Sequence, residues 1–240
     1  MEWRDEAIVL GIKHHGENSV IVELLTKAHG RHSGLVRSGR SKQMRPVLQA
    51  GNSVDCLWRA RLEEHLGNFT LEGTRLRAAS FMESALALHG VNLLSALLRL
   101  LPERDPQIEI YEAAEIILNH VETPEIIPAL LVRLELAILT ELGFGLDLST
   151  CAVTAEPGDL VYVSPKSGRA VSRTAGAAWH DRLLTLPAFL SAEGTSPNPQ
   201  DVIAGFMLTG FFLERNVYLP RGQMVPDARR ALLACLSPAA

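Results

Sequence analysis

The fold of this chain is decided near its amino end, where residues 8–24 read IVLGIKHHGENSVIVEL. Apolar residues alternate with other residues on both sides of a Gly-Glu-Asn turn at positions 16–18, as in β-strands that bury one face. The same period returns in Ser53–Arg61 and more weakly in Gly30–Val36 and at Phe69–Leu71. Five short strands in about 80 residues predict a small antiparallel β-barrel, and barrels of this size are often OB-folds.

The hydrophobic period changes at Ser80, and helical patterns follow. Ser80 and Glu83 have the spacing of a capping box, so a helix is predicted from Ser80 to about Leu101. Thr123 as an N-cap residue, with Pro124 at the first helical position, predicts that another helix begins there. Further helices are predicted at about 107–121, from Thr123 to about Leu142, after an Asn198-Pro199-Gln200-Asp201 cap, and at Asp227–Leu236.

These patterns divide the chain into a predicted barrel domain at residues 1–79 and a predicted helical domain at residues 80–240. Residues 146–197 interrupt the helical patterns, because they are rich in Gly, Pro and Ser and hold two short strand-like segments, Leu160–Val163 and Ala170–Ser172. The expected fold class is therefore α+β: an amino-terminal antiparallel barrel followed by an all-helical domain with one short hairpin.

Length and composition agree with two domains. The chain has 240 residues, of which 47% are hydrophobic, so it can bury a substantial core. Met1–Glu6 shows no basic region followed by an apolar stretch, and no signal peptide is expected. Charged residues interrupt the apolar stretch Ile126–Leu142, so no membrane span is predicted there. Three widely spaced cysteines form no disulfide pattern, which favours a reducing cytoplasm.

One stretch has a charge opposite to that of the whole chain, whose formal net charge is -4. Residues 27–45 contain two histidines, no carboxylate and six basic residues, which are Lys27, Arg31, Arg37, Arg40, Lys42 and Arg45. A basic segment rich in Gly and Ser beside strands indicates a surface for phosphate groups. A solvated loop without a partner is the alternative.

Residues 34–41, GLVRSGRS, nearly match the phosphate-binding P-loop, with Arg40 where that motif requires lysine. The motif needs a helix directly after it, because the helix end and the backbone amides hold the phosphates. The following residues, KQMRP, have no helical apolar stripe and end in proline. A flexible basic loop is therefore predicted instead.

No group of residues has catalytic or metal-binding spacing. The eight histidines form no metal signature, and HExxH, GxSxG and paired CxxC motifs do not occur. Cys56, Cys151 and Cys235 are interpreted as packing residues. The chain is therefore predicted not to be an enzyme. An enzyme that acts on a phosphorylated small molecule is an alternative, but it would need an acid–base pair.

The strand predicted at Ser53–Arg61 adds two arginines to the candidate surface. Arg59 and Arg61 alternate with Trp58, so they are expected to share the outer face while Trp58 lies in the core. On an open barrel this face would follow a nucleic-acid backbone beside the basic loop. Simple solvation of both side chains is the alternative.

Four groups of motifs follow one another along the chain. They are EAIVL at 6–10 with GE at 16–17, LLT at 24–26 and GR at 30–31; LQAG at 48–51 leading to Trp58; RLEL at 133–136 leading to LGFGLDL at 142–148 and Cys151; and YVSPKSG at 162–168. Their order, together with the change from strands to helices, resembles the RecO family of bacterial DNA repair proteins.

The resemblance implies an amino-terminal OB-fold, binding of single- and double-stranded DNA, and annealing of complementary strands without a covalent reaction or a cofactor. It also implies contacts with RecR and with the carboxy-terminal tail of the single-stranded-DNA-binding protein SSB, and an indirect role in RecA loading. The expected location is the cytoplasm, in association with the nucleoid and without membrane contact. An OB-fold RNA-binding or translation-linked module is the alternative. The DNA-binding residues expected are Lys27, Arg31, Arg37, Arg40, Lys42, Arg45, Arg59 and Arg61.

The sequence departs from a zinc-binding pattern found in some members of that family. Their four cysteines correspond to Cys151, Thr154, Ser172 and Ala175 in this chain. One thiolate cannot make a structural zinc site. Residues 146–176 are therefore expected to form a metal-free remnant of a zinc-finger-like hairpin, stabilised by packing.

Arg133 is the residue expected to contact the SSB tail. Such tails end in a hydrophobic residue and a free carboxylate, so the recipient should be an apolar groove with one cation at its edge. Arg133 is the basic residue of the helix predicted after Thr123, and Leu130 and Leu134 beside it are apolar. An ion pair with Glu135, or a contact with a neighbouring helix, is the alternative.

Overall fold

The computed structural model describes residues 1–191 and 196–236. The chain divides into two compact units, Met1–Ile127 and Pro128–Ala240.

The first unit is built on a closed five-stranded barrel with the strand order β1-β2-β3-β5-β4. The strands are β1 Glu2–His15, β2 Ser19–Thr26, β3 Gly30–Val36, β4 Ser53–Arg59 and β5 Asn68–Arg75. All neighbours pair antiparallel except β3 and β5, which meet in parallel at Leu35 and Asn68. This arrangement confirms the predicted OB-fold. The alternation expected to end at Arg61 ends two residues earlier, because β4 stops at Arg59.

β1 closes the barrel because it pairs with two strands in succession. Its first half, from Glu2 to Ile8, pairs with β4, and its second half, from Ala7 to His15, pairs with β2. The register with β2 shifts between Val9 and Gly11, and such bulges increase strand bending. The barrel core contains Trp58, which is 1% exposed, so the prediction that Trp58 is a core residue is confirmed.

Short helices complete the first unit. They are α1 Met44–Val47, α2 Ala78–Phe81, α3 Ala85–Leu98 and α4 Ile108–Asn119, followed by a 3₁₀ turn at Pro124–Ile126. The predicted capping box at Ser80 and Glu83 is wrong, because Ser80 lies inside α2 and Ser84 caps α3 by accepting from the amide of Ala87. Thr123 likewise makes no side-chain cap, and the first turn after it is 3₁₀.

A buried network joins these helices to the barrel. The side-chain carbonyl of Asn52 accepts hydrogen bonds from the amides of Arg77 and Ala78, at 2.8 and 3.1 Å, and so starts α2 before Ser80. The guanidinium of Arg77, 8% exposed, donates to Glu115 and Asn119 on α4, each at 2.8 Å. The compact unit therefore extends to Ile127, whereas the sequence predicts a domain limit near residue 79, where the strands end. The limits 1–79 and 80–240 stay a prediction.

The second unit is mainly helical but contains a three-stranded sheet, which corrects the expectation of an all-helical domain with one hairpin. The elements are α5 Ile127–Glu141, β6 Leu160–Val163, β7 Ala170–Ser172, α6 Arg173–Gly176, β8 Leu184–Thr185, α7 Pro199–Leu213 and α8 Asp227–Leu236. The sheet order is β7-β6-β8, and β8 has only two residues, too few to show a period. The Asn198 cap is confirmed, because its side chain accepts from the amide of Asp201 at 2.9 Å.

One helical segment of the described residues, Pro199–Arg221, is long and apolar enough to span a membrane, with a mean hydropathy of 1.2. It comprises α7 and the π and 3₁₀ turns that follow it. Half of its most apolar window is buried inside the protein, as in a core helix, so its length and composition are weak evidence for a membrane span.

Candidate nucleic-acid interface

The loop between β3 and α1 carries three of the eight predicted binding residues, Arg37, Arg40 and Lys42, and the β1–β2 turn holds its backbone. The amide of Arg40 donates to the carbonyl of Asn18 at 3.2 Å, and the amide of Ser41 donates to that of Ser38. Gly39 is buried where a Cβ would lie 2.5 Å from Val20, so only glycine allows this close approach. The helix that follows is the four-residue α1, so the requirement of a P-loop for a following helix is not met.

Three cations of this loop and Arg45 of α1 point to solvent without a carboxylate partner among the described residues. Arg37, Arg40, Lys42 and Arg45 are exposed, and within the described parts of the chain none of them forms an ion pair. Arg40 donates to the carbonyl of Glu17 at 2.8 Å, and Arg45 donates to the carbonyl of Arg40 at 3.2 Å. Carbonyl oxygens orient these guanidinium groups but leave their charge uncompensated. We call these four residues the basic loop.

Two members of the basic loop share a small cavity. Arg40 and Arg45 line a space of about 260 Å³ together with His14 and Gln49. Neither His14 nor Gln49 was predicted, because both reach the cavity from outside the basic stretch of sequence.

The first two residues of the basic stretch lie elsewhere. Arg31 forms ion pairs with Glu23 on β2 and with Glu103, and its Nε donates to the carbonyl of Leu101 at 3.0 Å. Lys27 is half-buried and lines a groove that also contains Glu112 of α4. Two carboxylates therefore neutralise Arg31, whereas Lys27 forms no ion pair within the described part of the chain. The assignment of both residues to a phosphate surface stays a prediction.

Arg59 and Arg61 do not share a strand face, which corrects the prediction from the alternating pattern. Arg59 is the last residue of β4, and Arg61 lies exposed in the β4–β5 connection. Arg59 forms an exposed ion pair with Glu2, with 2.6 Å between Nε and Oε2. The hydrogen bond from Arg59 lowers the pKa of the Glu2 carboxyl below its usual value.

A groove of about 410 Å³ brings Arg59 together with Arg37 of the basic loop. It lies where β3 and β5 meet, and half of its lining residues are apolar, which are Val36, Met44, Phe69 and Leu71. No sequence pattern predicts that these residues lie together, because they come from four separate segments of the chain. The structure therefore places one predicted arginine from the loop and one from β4 at the same groove.

The predicted zinc-finger remnant is a buried hydrogen-bonded cluster. Cys151 is 0% exposed, and the amide of Ser172 donates to its Sγ at 3.3 Å. Burial raises the pKa of the Cys151 thiol, but hydrogen bonds from Thr154 and Ser172 outweigh this and lower it to about 6. Ser172 Oγ in turn accepts from the amide of Ala175 at 3.4 Å. In the described chain, no three His, Cys, Asp or Glu side chains are grouped to hold a metal ion.

Arg133 is exposed on α5 and contacts Phe189. Its guanidinium lies 5.7 Å from the centre of the Phe189 ring, and Nη2 donates to the Phe189 carbonyl at 3.3 Å. The alternative of a pair with Glu135 is wrong, because Glu135 is fully buried and pairs with Arg229, with 2.9 Å between Oε1 and Nε. Phe189 lies in the 3₁₀ helix Ala188–Leu190, so the other alternative, a contact with a neighbouring helix, is what the structure shows. Arg133 has no carboxylate partner among the described residues.

An apolar groove of about 600 Å³ with a cation beside it lies between α7 and α8. Met207 and Met224, 64% and 89% exposed, are part of its lining, together with Phe211. Arg230 also lines it and forms an exposed ion pair with Asp227. The phenylalanines of α7 are the one indication of this groove in the sequence.

Comparison with known proteins covers nearly the whole chain. The family model for the Recombination protein O N terminal matches residues 1–76, and the model for the Recombination protein O C terminal matches residues 82–224. DNA repair protein RecO of Methylocella silvestris is 59% identical over 236 residues, which are 98% of this chain and 95% of that protein. DNA repair protein RecO of Rhizobium johnstonii is 58% identical over 243 residues, 99% of this chain and 95% of that protein.

Proposed function

The chain belongs to the RecO family of DNA repair proteins, and we propose that it acts as a recombination mediator that binds and anneals single-stranded DNA and helps to load RecA onto SSB-coated DNA. The observation that carries this proposal is the basic loop. It presents four exposed cations that form no ion pair with any described residue, beside an OB-fold barrel. Such a surface attracts phosphates of either strand and of duplex DNA.

Annealing would follow from electrostatics. Two DNA strands repel each other through their phosphates, and cations of the protein lower that repulsion when they replace counterions. Phosphate contacts carry no sequence information, so the bases stay free to pair. The protein would act as a mediator and not as an enzyme, without a cofactor, in the cytoplasm and in association with the nucleoid.

The proposed partners are RecR and the carboxy-terminal tail of SSB, with RecA reached indirectly. Arg133 remains the proposed contact for the terminal carboxylate, because no carboxylate of the described residues neutralises its exposed guanidinium. The groove between α7 and α8 is a second place in the same unit where a hydrophobic tail residue would find an apolar lining and, in Arg230, a cation. Separate variants of the two arginines distinguish these places.

An annealing assay with complementary strands coated with SSB tests the function. We expect the parent protein to accelerate annealing, and we expect the variant Arg37→Ala/Arg40→Ala/Lys42→Ala to lose most of the acceleration. Arg173→Ala is a control, because Arg173 is an exposed arginine of the other unit. Annealing no faster than without protein would overturn the proposal. Equal acceleration by the triple variant would remove the basic loop from it.

The alternative, an RNA-binding or translation-linked OB-fold module, shares the barrel and the basic loop. Binding of DNA and RNA of the same sequence, measured at the same salt concentration, separates the two functions. A strong preference for RNA would favour the alternative, since a recombination mediator must bind DNA at least as tightly.

A further inference from the structure

The face that OB-folds commonly use for oligonucleotides, the outer face of β2 and β3, is partly covered by this chain itself. Glu23, near the end of β2, is held by Arg31 and by Arg99, whose Nε lies 2.6 Å from Oε2 of Glu23. Arg99 follows α3 directly and also donates to the carbonyl of Leu10 at 2.6 Å. Glu23 is the only carboxylate of β2, and it pairs with two arginines of the chain itself. These arginines cover part of the strand surface around it.

The segment after α3 continues across the same side of the barrel. The amide of Arg104 donates to the carbonyl of Arg31 at 2.8 Å. A Cβ on Gly30 would lie 2.3 Å from the backbone of Asp105, so the two segments touch. Arg104 also donates to the carbonyls of Glu64 and His65 in the β4–β5 connection. A strand of nucleic acid would have to displace these contacts to follow the usual path.

Unlike the covered face, the groove between β3 and β5 has room for a base and exposed cations beside it. Its floor includes the half-buried Met44 and Leu71 above the buried Phe69, and its volume of about 410 Å³ is larger than an unpaired base. Arg37 and Arg59 both line it, and both are exposed. Exposed Asn68 and Thr70 add polar groups. An apolar floor with cations beside it suits a base and the phosphates on either side of it.

We infer that single-stranded nucleic acid lies in the groove between β3 and β5, with a base against the apolar floor and backbone phosphates at Arg37 and Arg59. This inference rests on the proposed function and names the path of the strand on the same barrel. A base in a duplex is stacked and paired, so it cannot enter the groove. The groove therefore adds a preference for single strands to the basic loop, which attracts any phosphate backbone.

In the structure the carboxylate of Glu2 pairs with the guanidinium of Arg59, so a DNA phosphate would compete with Glu2 for Arg59. The pair is exposed, with 61% of the Arg59 side chain and 53% of the Glu2 side chain accessible. Exposed ion pairs contribute little to stability, so a phosphate can replace the carboxylate at small cost. Removal of the Glu2 charge should therefore strengthen binding, whereas removal of Arg59 should weaken it.

The test is the affinity of three variants for a labelled oligothymidylate of about 16 nucleotides, which covers the range of OB-fold site sizes. We expect about tenfold weaker binding for Arg59→Ala, since one charged hydrogen bond is removed, and weaker binding for Thr70→Glu, which places a carboxylate in the groove. Glu2→Gln should bind about threefold more tightly, because the competing charge is gone. Affinity for a blunt duplex should change much less in all three.

Arg173→Ala and Asp159→Asn are matched controls, because Arg173 and Asp159 form an ion pair of nearly equal exposure in the other unit, 65% and 52%. Both controls should bind single strands as the parent does. If Arg59→Ala, Thr70→Glu and Glu2→Gln all bind like the parent while the basic-loop variant is weakened, the groove is not the path and the inference is overturned, although the proposed function stands. If the parent itself binds no single-stranded DNA, both fail.

Discussion

Two parts of one basic stretch, Lys27–Arg31 and Arg37–Arg45, have different roles in the structure although they are close in sequence. In the first part, Arg31 is surrounded by Glu23, Glu103 and the Leu101 carbonyl, so its charge serves the fold. In the second part, four cations reach solvent without a carboxylate partner among the described residues. A basic run therefore does not define a binding surface until the positions of the carboxylates around it are known.

The largest expected difference between the two parts of the basic stretch is in their contribution to stability. Arg31→Ala removes hydrogen bonds from a guanidinium whose side chain is only 16% exposed, and it should lower the free energy of unfolding by about 2 kcal/mol. The loss stays at this level because Glu23 keeps its pair with Arg99. Urea-induced unfolding of the parent and the variant measures this decrease in the free energy of unfolding. Arg37→Ala, the matched variant from the exposed part, should stay within about 0.5 kcal/mol of the parent, and an equal loss would contradict the distinction.

A second effect extends the comparison to the other unit, where Arg229 is buried with Glu135 while Arg133 and Arg230 are exposed. Arg133→Ala should weaken binding of an SSB tail peptide by about 1–3 kcal/mol, the range for removal of a charged hydrogen bond, and should leave binding of bare DNA intact. Peptide titration of Arg133→Ala and Arg230→Ala measures it. If only Arg230→Ala loses affinity, the tail binds between α7 and α8, and the assignment to Arg133 is wrong.

The smallest effect concerns metal. A zinc site needs several ligands, and Cys151 lies among Thr154, Ser172 and Ala175 in place of further thiolates. We expect elemental analysis of the purified protein to find no stoichiometric zinc and a chelator to leave the melting temperature unchanged. Stoichiometric zinc, or a large loss of stability on chelation, would show that the ligands have been misidentified.

The parts of the fold that follow from local periodicity could be predicted from the sequence. β6, β7 and α8 have the predicted limits, which the local composition of each segment was enough to indicate. The start of α2 could not be predicted in this way. It depends on Asn52, a residue 25 positions before Arg77 that caps the helix from the barrel. Ser80 has the right local pattern, but the long-range hydrogen bond decides the helix start.

The same limit applies to the candidate site. The exposure of the basic loop could be predicted, because Gly, Ser and basic residues without an apolar stripe favour a surface loop. The partners of the other cations could not. Glu103 is 72 residues from Arg31, and Glu2 is 57 residues from Arg59, so only the folded barrel brings each pair together. The groove that joins Arg37 to Arg59 depends on the parallel contact of β3 and β5, which has no signature in the sequence.

The salt dependence of single-stranded DNA affinity tests most directly whether the exposed part of the basic stretch, and not the buried part, binds phosphates. The parent, Arg37→Ala/Arg40→Ala/Lys42→Ala and Arg31→Ala are compared over a series of salt concentrations under conditions where all three are folded. The triple variant should bind more weakly at every sequence, with a log–log slope smaller by roughly 0.7 to 1 for each phosphate that it no longer neutralises. Arg31→Ala should keep the parent slope. An unchanged slope in the triple variant, or an equal reduction in Arg31→Ala, would contradict the assignment of phosphate binding to the basic loop.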